Sequence, residues 1–389
     1  MYLSKWEERA FQGEFGEAIQ LAMNVVVKVC KALKGEKLVE IAHAHVSGVS
    51  YFNIGDEGLQ LLEDIVKKNA KTLVYTTANP ASIVIVKEFT DKYDYTIIAK
   101  QMKIMKLLLA MGIDEKSFTC IPYKLRTPRY REHLAWAESS AVIYANSILG
   151  ARTNREGGIM ALMASIAGRT CFCGMHLDDE RNPTEVIEVE FPVDSIAIAS
   201  ALGLYIGNIT GGVPYIKMNL KIREQLKNVA LKSMLSSIAS TSSSALALLE
   251  GISPEVNRVD RSSLEKISID YHEIKNFIGS KCSNSLLLGC PHVDVEEAKE
   301  ILMEIKSKLK NYDIERIFIA LPEFEVYSLQ HLHLPNQLTD VEVVYLPGVC
   351  PIVSNLKSIE IQSLCTLHGK AYHYLPRLSG VQACLLNIA

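Results

Sequence analysis

No sign of charge dominates this chain. Lys and Arg total 41 against 44 Asp and Glu, a net −3 over 389 residues, so it lacks the basic footprint of a nucleic-acid binder. A long hydrophobic run is also missing. The most apolar stretch, 196–209, has no charged residue but is shorter than a membrane crossing requires, and glycine-rich turns follow it. Charges in the opening Met1-Tyr2-Leu3-Ser4-Lys5-Trp6-Glu7 arrive before any apolar segment, unlike a signal peptide. The expectation is a soluble, cytosolic protein. There is no glycine-rich phosphate loop of either common type and no Gly-x-Ser-x-Gly elbow, which removes the common nucleotide-binding and hydrolase patterns. No internal repeat or low-complexity tract is visible.

Cysteine is where the chain becomes informative. Nine is an odd count, and without a secretory signal it points to free thiols or metal ligands rather than a disulfide framework. Cys30 reads as a core residue of a helix and Cys384 as a buried strand thiol. Cys171 and Cys173 are too close for a Cys-x-x-Cys pair, and no second pair exists to complete a zinc site.

At 48% hydrophobic and 22% charged residues, most of the chain should fold, and its length suits two or three packed units. Ser4 with Glu7 has capping-box spacing and starts a helical region over 5–35. Strand-like runs at 38–42, 72–76 and 95–98 alternate with helical patterns at 57–69 and 80–89, which predicts a parallel, doubly wound α/β sheet. From 130 to 250 the pattern is helical and rich in small residues (135–149, 160–168, 195–205, 234–249), and polar residues 251–280 read as a surface connection. Strands are expected at 286–288, 317–320, 341–346 and 381–386, with a helix over 295–309 capped by Asp294. Within one module over 1–389, the divisions drawn are 1–125 as α/β, 126–280 as mainly helical with α/β elements, and 281–389 as α/β.

Three cysteines share a setting beside proline: Cys120-Ile121-Pro122, Gly289-Cys290-Pro291 and Gly348-Val349-Cys350-Pro351. Each falls where a strand ends, the position at which α/β sheets gather ligands. Thiolates from three separate loops can hold an iron–sulfur cluster and leave one iron open as a Lewis acid. Taken singly, each is also explained as a buried structural cysteine.

Other candidates carry weaker signals. Residues 44–58 follow the first strand and offer N–H and hydroxyl donors suited to a carboxylate, yet an ordinary βα turn explains them too. Glu138, Ser139 and Asn146 are polar positions in an otherwise apolar helix and need partners if buried. Arg152 and Arg155 follow that helix; a surface face accounts for them cheaply. Lys370 opens the last helix, the wrong end for a cation, which raises an anion-binding role. His45, His133, His292 and the 330–333 segment form no metal spacing.

Residues 44–58, Thr77-Ala78-Asn79-Pro80, Cys120-Ile121-Pro122-Tyr123, 136–158 and Leu288-Gly289-Cys290-Pro291-His292 together closely resemble the aconitase X family, from near the N-terminus to about residue 300. The resemblance implies an aconitase-like α/β fold whose parallel-sheet units surround a central iron–sulfur site, and an iron–sulfur hydro-lyase. It implies a [4Fe–4S] cluster on Cys120, Cys290 and Cys350, with substrate contacts from Gly48, Val49, Ser50, Asn79, Pro80, Glu138, Ser139 and Lys370. Glu138 and Ser139 would serve in catalysis. Fused relatives carry a swivelling domain that this chain is too short to contain, so a separate small swivelling-domain subunit is the expected partner. The implied reaction is dehydration of (R)-5-phosphomevalonate, a small phosphorylated hydroxy acid, to trans-anhydromevalonate 5-phosphate, with Arg152 and Arg155 as alternative phosphate contacts. Dehydration of cis-3-hydroxy-L-proline, or a non-catalytic iron-binding or regulatory subunit, are the alternatives.

Overall fold

The structure is a computed structural model that describes residues 1–83, 87–256, 261–329, 338 and 340–388. The chain begins with α1 (Lys5–Gln12) and α2 (Glu17–Ala32), then β1 (Leu38–Glu40), β2 (His43–Val46), α3 (Tyr51–Lys67), β3 (Tyr75–Ala78), α4 (Lys87–Thr90), α5 (Tyr95–Ala110), β4 (Leu134–Trp136), α6 (Ser139–Ser147), α7 (Gly158–Ala167) and β5 (Arg169–Cys171). There follow β6 (Glu185–Val193), α8 (Ile196–Ile209), β7 (Pro214–Leu220), α9 (Glu224–Thr241), β8 (Leu248–Leu249), β9 (Glu265–Ile269) and α10 (Tyr271–Ile274). The last part holds β10 (Ser285–Leu288), α11 (Val295–Ile305), β11 (Arg316–Leu321), α12 (Val326–Leu329), β12 (Glu342–Pro347), β13 (Ser363–Thr366), α13 (Gly369–Tyr374) and β14 (Gln382–Leu385).

Three parallel sheets organise these elements, in the orders β3-β2-β4, β8-β7-β6-β9 and β12-β11-β10-β13-β14. In the last, chain order reverses direction between β10 and β13. That is a topological switch point, and the crevice beyond the carboxyl ends of such strands is where open α/β sheets bind ligands. In the first sheet, β2 is central and the chain crosses over it between β3 and β4. Residues following β2, β3, β4, β10, β12 and β13 therefore face a common region.

The four-stranded sheet is covered by α8 and α9, which pack unusually closely. A Cβ added at Gly203 would stand 2.2 Å from the Met234 carbonyl oxygen, and one at Gly207 would stand 2.7 Å from that of Ile238. Serines on α9 satisfy themselves within the helix, Ser237 Oγ donating to the Ser233 carbonyl at 2.7 Å and Ser240 Oγ to that of Ser236 at 2.7 Å, which permits polar side chains on a buried helix. The Ser4 and Asp294 capping boxes both form. Among the described residues, no helix is long and apolar enough to cross a membrane.

Several expectations are corrected. The 38–42 run is β1, but it pairs antiparallel with β5 outside the parallel sheets; the strand feeding the site is β2. The 95–98 run is the first turn of α5, because Asp94 accepts from the Thr96 N–H and Gln101, Ile104 and Leu108 bury one face. The helical pattern at 80–89 holds only over 87–89, the start of α4, while Ala81 forms a bridge with Val349; residues 84–86 lie outside the described residues. Residues 130–250 contain β4, β5, β6, β7 and β8, and 251–280 contributes the strand β9 rather than only a connection.

The cysteines also differ from expectation. Cys30–Cys171 and Cys282–Cys384 are disulfides across 141 and 102 residues, with Cα atoms 5.0 and 6.0 Å apart, well within bridging range. Gly35 makes room for the first: a Cβ there would stand 2.2 Å from Cys171 Sγ. Such pairing between distant elements leaves no local spacing signal.

Lys232 on α9 is 1% exposed and bonds Glu297 of α11 at 2.5 Å and the His292 carbonyl at 2.9 Å. Replacing it leaves a buried carboxylate uncompensated. Lys232→Met is expected to destabilise the fold by about 3–5 kcal/mol in denaturant titration; a change below about 1 kcal/mol would show that this buried pair does not hold α9 to α11.

Candidate functional site

The ends of six strands supply one cavity of about 300 Å³. Beyond β2 come Gly48, Val49 and Ser50; beyond β3, Asn79 and Pro80; beyond β4, Glu138 and Ser139. Cys290 follows β10, Cys350 follows β12, and Lys370 follows β13. Cys120 arrives just after Phe118, which bridges to Ala78 of β3. The structure thus brings all eleven sequence-selected residues to one place. Arg155 joins them, whereas Arg152 is sequestered at 3% exposure with Asp178 and Glu255.

The three thiols are buried or nearly so. Burial pushes the Cys120 thiol up to about 12, raises Cys290 well above its ordinary value, and raises Cys350 as well. Cys120 Sγ accepts the His292 N–H at 3.1 Å. Among the described residues no three His, Cys, Asp or Glu side chains are placed to hold a single metal ion. Three soft sulfur donors lining one cavity are the donor set an iron–sulfur group takes. The residues present fit such a group.

Opposite the thiols sits an ion pair. Glu138 caps α6, accepting from Ser140 N–H at 3.3 Å and Ser140 Oγ at 2.8 Å, so it lies at the helix start rather than inside the helix. Lys370 Nζ bonds Glu138 and reaches Ser140 Oγ at 3.2 Å and Ser139 Oγ at 3.4 Å. Burial alone would raise the Glu138 carboxyl, but the Lys370 charge and the bonds from Ser140 and Asn79 outweigh it and hold the group at about 2. Burial opposes the Lys370 charge, and Glu138 reverses that and raises it. Asn146, the other polar position noted, is a core residue bonded to Thr153 and Ala245 carbonyls.

A hydrogen-bonded chain runs into Glu138 from the first sheet. Asn79 Nδ2 donates to Glu138 at 2.9 Å, and Asn79 Oδ1 meets His45 Nε2 at 2.8 Å. Since that oxygen only accepts, His45 carries its proton on Nε2, and Nδ1 accepts from Thr77 Oγ1 at 2.7 Å. Burial lowers His45 to about 4, consistent with a neutral ring. Sequence reasoning set His45 and His292 aside for lack of metal spacing; they act on neighbours. Only the apolar setting of His45 in a strand hinted at this. The 330–333 segment lies outside the described residues.

Lys370 is delivered by packing from another sheet. Ser200 Oγ of α8 donates to the Leu367 carbonyl at 2.9 Å, and Ser233 Oγ of α9 meets His368 Nδ1 at 2.8 Å. Gly369 packs against α9 so closely that a Cβ would stand 2.3 Å from Ser237 Oγ. The N–H groups of Gly48, Val49 and Ser50 donate to no acceptor among the described residues, leaving a concave set of donors for an anion. A second cavity of about 340 Å³ lies by Ser195, Arg223 and Ile301. It has neither thiols nor a buried ion pair, so the chemistry belongs to the first.

Family comparison agrees with this geometry. The first, second and third domains of aconitase X match residues 1–179, 183–279 and 283–389. The chain belongs to the aconitase X family. It is 37% identical to the phosphomevalonate dehydratase large subunit of Thermococcus kodakarensis over 96% of this chain and 95% of that protein. It is 35% identical to that of Methanocaldococcus jannaschii, over 97% and 95%. The cis-3-hydroxy-L-proline dehydratase of Pseudomonas aeruginosa is 28% identical and only 68% covered. The crystal structure of Thermococcus kodakaraensis aconitase X in its holo-form superposes with a TM-score of 0.88 at 36% identity, covering 100% of this chain and 97% of that one.

Proposed function

We propose that this aconitase X chain is the large, catalytic subunit of an iron–sulfur hydro-lyase that dehydrates (R)-5-phosphomevalonate to trans-anhydromevalonate 5-phosphate. The observation that carries the proposal is the convergence of three thiols, two of them buried and the third nearly so, and a buried Glu138–Lys370 pair on one cavity. The more similar relatives, at 31–37% identity, are phosphomevalonate dehydratase large subunits, whereas the cis-3-hydroxy-L-proline dehydratases stand at 24–28%.

A [4Fe–4S] cluster held by Cys120, Cys290 and Cys350 would, when bound, supply a Lewis-acidic iron for the departing hydroxyl. Glu138, kept ionised by Lys370, orients that hydroxyl through its carboxylate oxygens. Gly48, Val49 and Ser50 offer their N–H groups to an anionic end of the substrate, and Asn79 fixes Glu138 from the side. Pro80 carries no N–H and shapes the wall beside Asn79, and Ser139 bonds Lys370. Arg155, whose guanidinium bonds the Ser242 carbonyl at 2.9 Å, lines the cavity as a cation for a phosphate.

A proton must also leave the carbon beside the carboxylate. Glu138, held near 2, is too weak a base for this, and His292 is neutral and fully engaged. Neither group suits the task, and the base is assigned in this reading to a small swivelling-domain subunit closing over the cavity. Co-expression with that subunit, anaerobic reconstitution and assay should show phosphomevalonate losing one water. Turnover of cis-3-hydroxy-L-proline without turnover of phosphomevalonate would overturn the proposal.

A further inference from the structure

We infer that His292 is a positioning residue that locks the three cysteine-bearing loops into one arrangement. The inference rests on the iron–sulfur reading above. His292 is 1% exposed and stands two residues beyond Cys290. Its N–H donates to Cys120 Sγ at 3.1 Å. Nε2 lies 2.8 Å from the Val349 carbonyl oxygen, the residue before Cys350. A carbonyl only accepts, so Nε2 carries the proton, and Nδ1 is left to accept from Thr119 Oγ1 at 3.2 Å, the residue before Cys120. Its own carbonyl oxygen accepts from Lys232 Nζ at 2.9 Å, anchoring the loop to α9.

One imidazole thus connects the segments bearing all three thiols, with each nitrogen committed and no tautomer to spare. Groups of this kind fix donor orientation around a metal centre, and their loss typically costs ten- to a hundredfold in metal retention. The Cys290 loop itself has little freedom: Gly289 has φ 103°, and a Cβ there would stand 2.1 Å from the Ala320 carbonyl oxygen. Losing the ring would therefore release chiefly the Cys120 and Cys350 loops from a fixed third point.

The test is iron release from the reconstituted protein to a chelator, followed by absorption, alongside the melting temperature of the iron-free chain. His292→Ala should release iron about ten- to a hundredfold faster than the wild type. His292→Gln, whose amide can still donate to the Val349 carbonyl, should recover part of the loss. Thr119→Val removes the donor to Nδ1, together with the acceptor of the Ile121 N–H at 3.2 Å, and serves should His292→Ala fail to fold; it should also release iron faster. Wild-type release rates in folded His292→Ala, or in both other variants, would overturn the inference, since a merely structural histidine would lower the melting temperature alone. A wild-type protein that takes up no iron and sulfide would instead remove the iron–sulfur reading itself.

Discussion

Cys120→Ala is expected to abolish both the iron–sulfur absorption and the dehydration, lowering the rate by at least about a thousandfold while the chain stays folded. The size follows from what hydroxide needs in order to leave. Without a Lewis acid its departure has to be assisted by a proton donor, and the two central charged groups of the cavity are Glu138, held ionised near 2, and a lysine committed to it. The cost to folding should be small. Cys120 lies in a loop, and alanine removes one acceptor from the His292 N–H, worth about 1–3 kcal/mol if no water replaces it. Iron and sulfide per chain, circular dichroism and turnover, measured on the same preparation, separate loss of the cluster from loss of the fold. Full activity in Cys120→Ala would end the proposed mechanism.

Breaking the Glu138–Lys370 pair should have the next largest effect. Glu138→Gln is expected to lower kcat by about a hundred- to ten-thousandfold and to destabilise the protein by about 3–5 kcal/mol, because a buried ammonium is left without its counter-charge. Lys370→Met strands the carboxylate in the same way. The double variant Glu138→Gln/Lys370→Met should be less destabilised than the sum of the two single changes, and simple additivity would mean that the two charges are not coupled. The pH dependence has a definite sign. Glu138 is lowered from 4.5 to about 2, so its contribution is present above about pH 4.5 and is lost as the pH falls toward 2. Lys370 is raised from 10.5, so its contribution is present below that value and fades as the pH rises past it. The melting difference between wild type and Glu138→Gln, measured on iron-free protein, should be constant from about pH 5 to 10 and shrink on the acid side. A difference that grew on acidification would contradict the assigned charge states.

Legibility in the sequence followed the range of the interactions involved. Capping is local: Ser4 with Glu7, and Asp294 with Glu297, involve residues three apart, and both boxes form as expected. Apolar runs of the third sheet, such as 286–288 and 317–320, were equally plain because parallel strands are buried on both faces. The 95–98 run misled because four apolar or β-branched residues also suit a strand; Asp94 before it and Gln101, Ile104 and Leu108 beyond it decide for a helix. The strand β6 was missed because Glu188 and Glu190 interrupt its apolar residues. Strand-end cysteines were visible as a shared Pro context, but His45 and His292 were not, since each acts through partners more than thirty residues away.

From residue order alone came the kinds of groups available: thiols, a carboxylate, a lysine at a helix start, and turns with spare N–H donors. Those follow from side-chain chemistry and from contacts within a few positions. Folding in three dimensions settled which of them meet. The reversal of strand order between β10 and β13 sets Cys290 beside Lys370, and helices α8 and α9 press Lys370 onto Glu138. Tertiary packing also buried Arg152 while leaving Arg155 in the cavity, and joined Cys30 to Cys171. The reason is physical: sheet order and interhelix packing are settled by the burial of whole faces, so partners hundreds of positions apart leave no mark on any local stretch of the chain.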